Sequence, residues 1–191
     1  MDTKITLPHL DGKLLIAMPG MGDARFEKSL IYMCAHSEDG AMGLIINKPA
    51  ADLQFSDLLD QLEITPAQSF RPIDVHFGGP VEHGRGFVLH SKDYKTKEST
   101  LNVNDDFGMT ATLDILEDIS QGNGPDNCLL ALGYAGWGPG QLEDEIRANG
   151  WLTCDADARL VFSDDHQSKW SAAIESIGID PRMLSAEGGS A

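Results

Sequence analysis

At 191 residues, with 41% hydrophobic and 23% charged side chains, the chain suits one ordinary folded core and is too apolar for a disordered segment. Its 14 basic and 30 acidic residues leave a net charge of −16. That charge disfavours direct nucleic-acid binding and anionic membranes, because duplex binding needs cations that displace phosphate counterions. The densest basic cluster, Lys92, Lys95 and Lys97, is interrupted by Asp93 and Glu98 and reads as a solvated loop.

The first apolar run, LLIAM at 14–18, reads as a strand that stops at Pro19-Gly20-Met21-Gly22. It is too short for a secretory core or a membrane span, and Asp2, Lys4, Asp11 and Lys13 surround it. A cytoplasmic location is expected. Residues 30–36 and 42–46 are two further apolar runs separated by Ser37-Glu38-Asp39-Gly40, a strong hairpin signal. Pro49 cannot donate to a continuing ladder, so the second run ends at Asn47-Lys48-Pro49.

Phe55, Leu58, Leu59 and Leu62 repeat at helical spacing and predict a helix over 54–62. Strands are expected at 73–77, 86–91 and 100–103, with Gly78-Gly79-Pro80 and Gly84-Arg85-Gly86 in the loop between the first two. Met109, Thr112, Leu113, Ile115, Leu116 and Ile119 form one stripe, so a helix is expected near 110–121, ended by Gly122-Asn123-Gly124-Pro125. A very apolar strand at 127–135 leads through a glycine-rich turn into a helix at 141–149. Residues 151–155 and 159–163 read as a hairpin. Trp170, Ala173, Ile174 and Ile177 place a last helix at 168–177, with Gly178 just past its end.

Hairpins mixed with isolated helices, without βαβ alternation, predict one α+β domain over 1–191. Its sheet is expected to be mixed or mainly antiparallel and strongly curved, partly barrel-like, with flanking helices. Both ends, about 1–10 and 185–191, read as loose.

The chemistry-bearing motifs are few. Cys34, Cys128 and Cys154 lie in strand-like runs without CxxC spacing, so they read as buried thiols. His36, His76, His83 and His90 lack metal-site spacing, and no metal or cofactor is expected. Gly133-Tyr134-Ala135-Gly136-Trp137-Gly138-Pro139-Gly140 sits where a dinucleotide loop would. Gln141 or Glu143 takes the third-glycine position, however, and Glu143, Asp144 and Glu145 would repel a pyrophosphate. GxSxG, HExxH and Walker motifs are absent.

Three stretches carry a resemblance when taken together. They are Gly40 to Pro49 (GAMGLIINKP), Gly78 to Val81 with Arg85 to His90, and Ala131 to Glu143 (ALGYAGWGPGQLE). In this order the chain resembles the AlgH/YqgE family of bacterial proteins from about Gly12 to Leu184. The resemblance implies a compact α+β fold with coiled sheets and flanking helices, and no settled reaction. The AlgH name implies an association with regulation of alginate production and carries a transcriptional-regulator label. The sequence departs from relatives at Thr110-Ala111-Thr112 and in its tail, Gly189-Ser190-Ala191, where relatives often carry a histidine.

The expected function is binding or regulation through an unidentified protein partner or small ligand. Its site is expected where Asn47, Lys48, Arg85, His90, Tyr134, Trp137, Gln141 and Glu143 could converge, on three stretches that each place glycine or proline beside a polar or aromatic side chain near a strand end. The alternative is a hydrolase-like enzyme in the same pocket with His90 or Glu143 as general base. A third reading, DNA contact, has the family label in its favour and the charge against it.

Overall fold

A computed structural model describes residues 9–20, 22–68, 70, 72–94 and 100–184. Nine strands among them join one sheet: β1 (Lys13–Ala17), β2 (Leu30–Ser37), β3 (Gly40–Ile45), β4 (Val75–Phe77), β5 (Val81–Ser91), β6 (Thr100–Asn102), β7 (Phe107–Thr110), β8 (Cys128–Trp137) and β9 (Trp151–Asp155). The order is β6-β7-β5-β8-β3-β2-β1-β9, all antiparallel, with β4 added parallel to β8. The helices are α1 (Phe55–Gln61), α2 (Leu113–Ser120), α3 (Gln141–Arg147), α4 (Ala158–Val161) and α5 (Lys169–Ser176). The domain is α+β, with a sheet curled into a half-barrel.

The strands are apolar at consecutive positions because both faces of the sheet are covered. On one face Leu14, Tyr32, Leu44, Leu89 and Phe107 pack under Val161 of α4 and Trp170, Ala173 and Ile174 of α5. On the other, Leu15, Ile31, Met33 and Ile45 pack with Leu142 of α3. Farther along that face, Val88 and Leu130 meet Phe55 and Leu59 of α1 and Ile115, Leu116 and Ile119 of α2. Trp170 also anchors α5 to the sheet, donating its indole N–H to the Ala17 carbonyl at 2.9 Å.

The Asp39-Gly40 turn forms the expected hairpin, pairing Ser37 with Gly40. Helices near 54–62, 141–149 and 168–177 are present with slightly shorter bounds, and Gly178 ends the last with φ +82°. Three local expectations are corrected. Residues 151–155 do not form a hairpin with 159–163: β9 lies along β1 in register Lys13 to Asp155, and 158–161 is a helical turn. The open edge of β1 offers a complete ladder, while the Asp157 carboxylate accepts the Arg159 N–H and starts α4.

Met109 belongs to a strand, not to a helix starting near 110. Asn104 accepts the N–H groups of Asp106 and Phe107, and the resulting turn leads into β7, so α2 begins at Leu113. Finally, Gly84-Arg85-Gly86 lies inside β5, in a bulge where its register with β8 shifts between Val81 and Gly86. The loose ends expected at 1–10 and 185–191 lie outside the described residues, except that His9 is described and Leu10 is buried. Lys95, Lys97 and Glu98 also lie outside them.

Candidate functional site

β8 connects the expected site stretches, because β3, β4 and β5 all pair with it. The chain leaving β4 crosses the β8 backbone at Gly78-Gly79. A Cβ on Gly79 would lie 2.0 Å from the Tyr134 carbonyl carbon, and one on Gly78 would lie 2.3 Å from the Gly133 oxygen. Gly133, at φ +76°, meets the Gly79 oxygen in the same way. These glycines therefore allow backbone to pass over backbone. The crossing places Val81 opposite Tyr134 and starts the bulge that carries Arg85.

Beside the crossing lies an open groove of about 670 Å³ across β3, β8 and β5. Half-buried Met42, Val81 and Tyr134 line it, with the buried Phe87, Met109 and Trp137 beneath them. Phe87 meets Tyr134 edge-on at 5.7 Å, and the Arg85 guanidinium sits 5.1 Å from the Phe87 ring centre. Arg85 also reaches Glu82 at 3.4 Å, with both side chains more than half exposed, so that pair holds it weakly.

The groove brings together Arg85, Tyr134 and Trp137 among the expected site residues. The other five are engaged nearby or elsewhere. Asn47 accepts the Leu30 N–H at 2.9 Å and donates to the Lys28 carbonyl at 2.8 Å. Lys48 donates to the Arg25 carbonyl at 2.8 Å. His90 is fully buried, with Nδ1 donating to Ser91 O and Nε2 accepting the Thr110 hydroxyl, both at 2.8 Å. Gln141 Oε1 accepts the Gly138 N–H at 3.0 Å. Glu143 accepts from His36 Nε2, whose Nδ1 in turn accepts the Leu10 N–H. That imidazole hydrogen bond holds the Glu143 carboxyl below its ordinary range.

A second cavity of about 680 Å³ lies between the approach to β4, the end of α2 and the start of α5. Lys169 on its floor is 1% exposed and donates to the carbonyls of Ile46 and Val161 at 2.9 and 2.8 Å. Burial lowers its ammonium to about 8. His166 Nε2 bonds Asp74 Oδ2 at 2.9 Å, and its Nδ1 faces His76 Nε2 at 3.4 Å. Burial, with His166 and Lys169 nearby, pushes fully buried His76 down to about 3.

This cavity was not legible as a site. Its one sequence signal is Lys169, four positions before Ala173 on the apolar stripe of α5. Cys128 lines it too, but burial raises that thiol to about 12, so it carries no ready thiolate. Among the described residues no three His, Cys, Asp or Glu side chains converge to hold a metal ion. Nor is any described helix long and apolar enough to cross a membrane.

The family model described as AlgH-like, DUF179, matches residues 14–182. The chain belongs to the AlgH-like family. It is 58% identical over 182 residues to a UPF0301 protein of Cereibacter sphaeroides, covering 95% of this chain and 99% of the relative. Identity to a UPF0301 protein of Ruegeria pomeroyi is 61% over 183 residues, with the same coverage. The solution structure of the AlgH protein from Pseudomonas aeruginosa superposes with a TM-score of 0.76 at 38% identity over 94% of both chains. An X-ray structure of a Corynebacterium diphtheriae protein gives 0.72 at 20% identity, covering 90% of this chain and 88% of the other, and shares the fold.

In this AlgH-like chain the stretches that carried the resemblance hold the centre of the sheet as well as line the groove. Glu143 shows the structural share. Glu143→Ala leaves the buried His36 donor without its acceptor and should cost about 1–2 kcal/mol in urea unfolding. Glu143→Gln keeps an acceptor and should recover most of that loss. Equal losses in the two variants would show that the His36 bond is not what Glu143 supplies.

Proposed function

We propose that this AlgH-like protein is a binding protein that acts on a partner protein through the groove across β3, β8 and β5. The observation that carries the reading is the composition of that groove. Met42, Val81 and Tyr134 offer half-buried apolar surface over the buried Phe87 and Met109, and Arg85 is its one lining cation among the described residues, with Asp39 also on its edge. The occupant that fits is an apolar segment bearing a carboxylate. Arg85 can exchange its exposed Glu82 contact for that carboxylate at little cost, while the −16 charge repels partners that are acidic throughout.

A regulatory role of the kind the family resemblance implies for alginate production would then run through protein contact. The same −16 opposes approach to duplex phosphates. The hydrolase reading has less support, since His90 is sealed in the core and Glu143 is committed to His36.

The test places a photo-crosslinking residue at exposed Ala35 on the groove and, as a control, at Asp144 on α3. A discrete adduct is expected from Ala35 alone. It should be lost in Met42→Glu and reduced roughly tenfold in Arg85→Glu, the scale of one charge-assisted contact, with the fold unchanged by circular dichroism. Adducts that form equally from Asp144, or that survive both substitutions, would overturn the reading.

A further inference from the structure

His36, near the end of β2, is buried against α3, and both of its ring nitrogens are engaged. Leu10 donates its buried backbone N–H to Nδ1 at 3.0 Å. Nδ1 therefore presents a lone pair, and the ring proton sits on Nε2, which donates to Glu143. The neutral ring thus ties the chain entering β1 to α3. Leu10 is itself buried, in the same apolar cluster as Leu15, Trp137, Leu142 and Trp151.

An imidazolium has two N–H donors and no acceptor. A proton taken up at Nδ1 would set two donors against each other across the Leu10 bond, and buried donors without acceptors are costly. The two sides of the ring respond differently. Glu143 keeps its bond, because an imidazolium still donates from Nε2. The His36 hydrogen bond already holds the Glu143 carboxyl below its ordinary range, so it stays ionised and favours the charged ring. Leu10 has no acceptor left. Its remaining backbone tie is the Lys13 N–H on its carbonyl at 2.9 Å, across a turn with Gly12 at φ +79°.

The other titratable groups around the ring are His9, Asp11 and Arg147. His9 is exposed with its ring 5.7 Å from that of His36, and a proton on it adds repulsion that release relieves. Asp11 is exposed beside Leu10, and Arg147 acts on Glu143 from one turn along α3. Ala41, opposite His36 on β3, carries no charge. We propose that His36 is a pH-operated latch on the segment leading into β1: neutral, it holds Leu10 in the core, and protonated, it releases Leu10 while staying paired with Glu143. Acid opens the latch, because the ring holds a second proton more tightly when Nδ1 donates to water than when it faces the Leu10 N–H. The latch lies on the α3 face and does not depend on what the groove binds.

The experiment is amide hydrogen exchange of the full chain by NMR over a pH series, read as protection relative to the intrinsic rate at each pH. The ring resonances of His36 and His9 are followed in the same samples. Protection of the Leu10 and Lys13 amides should fall about tenfold or more as His36 protonates, the scale of one donor left unpaired. The core amides of Ile45 and Leu130, bonded to Gly78 and Asp74, should not share that step. Glu143→Gln keeps an acceptor for Nε2 without its charge, so release should need a lower pH. His36→Phe removes the acceptor and should leave Leu10 unprotected at every pH; if that variant does not fold, Glu143→Gln decides alone. The proposal is overturned if Leu10 stays protected while His36 is protonated, or if its loss follows His9 or the core amides instead. It is equally overturned if Glu143→Gln releases at the wild-type pH, if a folded His36→Phe protects Leu10, or if His36 stays neutral until the core amides exchange.

Discussion

Gly79→Ala is expected to destabilise the protein by at least about 3 kcal/mol, and Gly133→Ala by a similar amount, through backbone strain and overpacking together. The added methyl of Gly79→Ala would lie 2.0 Å from a backbone carbon of Tyr134, and no side chain can move aside to make room. Gly133→Ala adds the left-handed backbone at φ +76° to a 2.5 Å clash with the Gly79 oxygen. A domain is typically stable by only about 5–15 kcal/mol, so such losses should appear as insoluble expression or a much lower urea midpoint. Gly84→Ala is the matched control: a Cβ there meets nothing within 4 Å, so its effect should stay within about 0.5 kcal/mol. If Gly79→Ala behaves like Gly84→Ala, the crossing is not packed as described.

The second large effect is on acid stability. His76 is fully buried and its folded pKa is pushed down to about 3, from an ordinary value of 6.5. Below pH 6.5 the unfolded chain takes up a proton that the folded chain refuses, so stability falls as pH drops toward 3. Over the whole window this group contributes a loss on the order of 5 kcal/mol, and roughly half of that is reached by pH 4.5. His166, Lys169 and Asp74 act electrostatically on the same ring.

The check is urea unfolding from pH 7 to pH 4.5 for the wild type and His76→Phe. Other carboxylates and histidines titrate in both proteins, so the difference in slope isolates His76. The variant should lose stability less steeply. Parallel curves would mean that His76 is protonated in the folded state or is not buried as described.

Both effects involve residues that the sequence marks without explaining. Gly78-Gly79-Pro80 and Gly133 stand out as breakers, and their composition says that backbone must come close to something. That each is the other's partner follows only from β4 crossing β8. Arg85, Tyr134 and Trp137 line one groove, but the sequence grouped them with five other residues and did not single them out. Asn47, Lys48 and Gln141 have the same local look, yet their side chains bond backbone atoms at 28–30, 25 and 138. A polar side chain beside a turn has the same sequence appearance whether it faces a ligand or a carbonyl.

Periodicity and charge were sufficient for the rest. The spacing of Phe55, Leu58 and Leu59 and of Trp170, Ala173 and Ile174 specified two helices, and the runs at 14–18, 30–36 and 127–135 specified three sheet strands. Those patterns are local, arising from 3.6 residues per helical turn and 2 per strand repeat, so neighbours along the chain carry them. Nothing local tells 151–155 to pair with 13–17 rather than with 159–163, because the choice depends on which sheet edge is open. Lys169, His76, His166 and Asp74 are likewise brought to one cavity from separate elements, and their shared burial is a property of the packed molecule. The sequence by itself determined the fold class, most of the elements and the charge, whereas the strand partners, the glycine crossing and the charged cavity were decided by long-range packing.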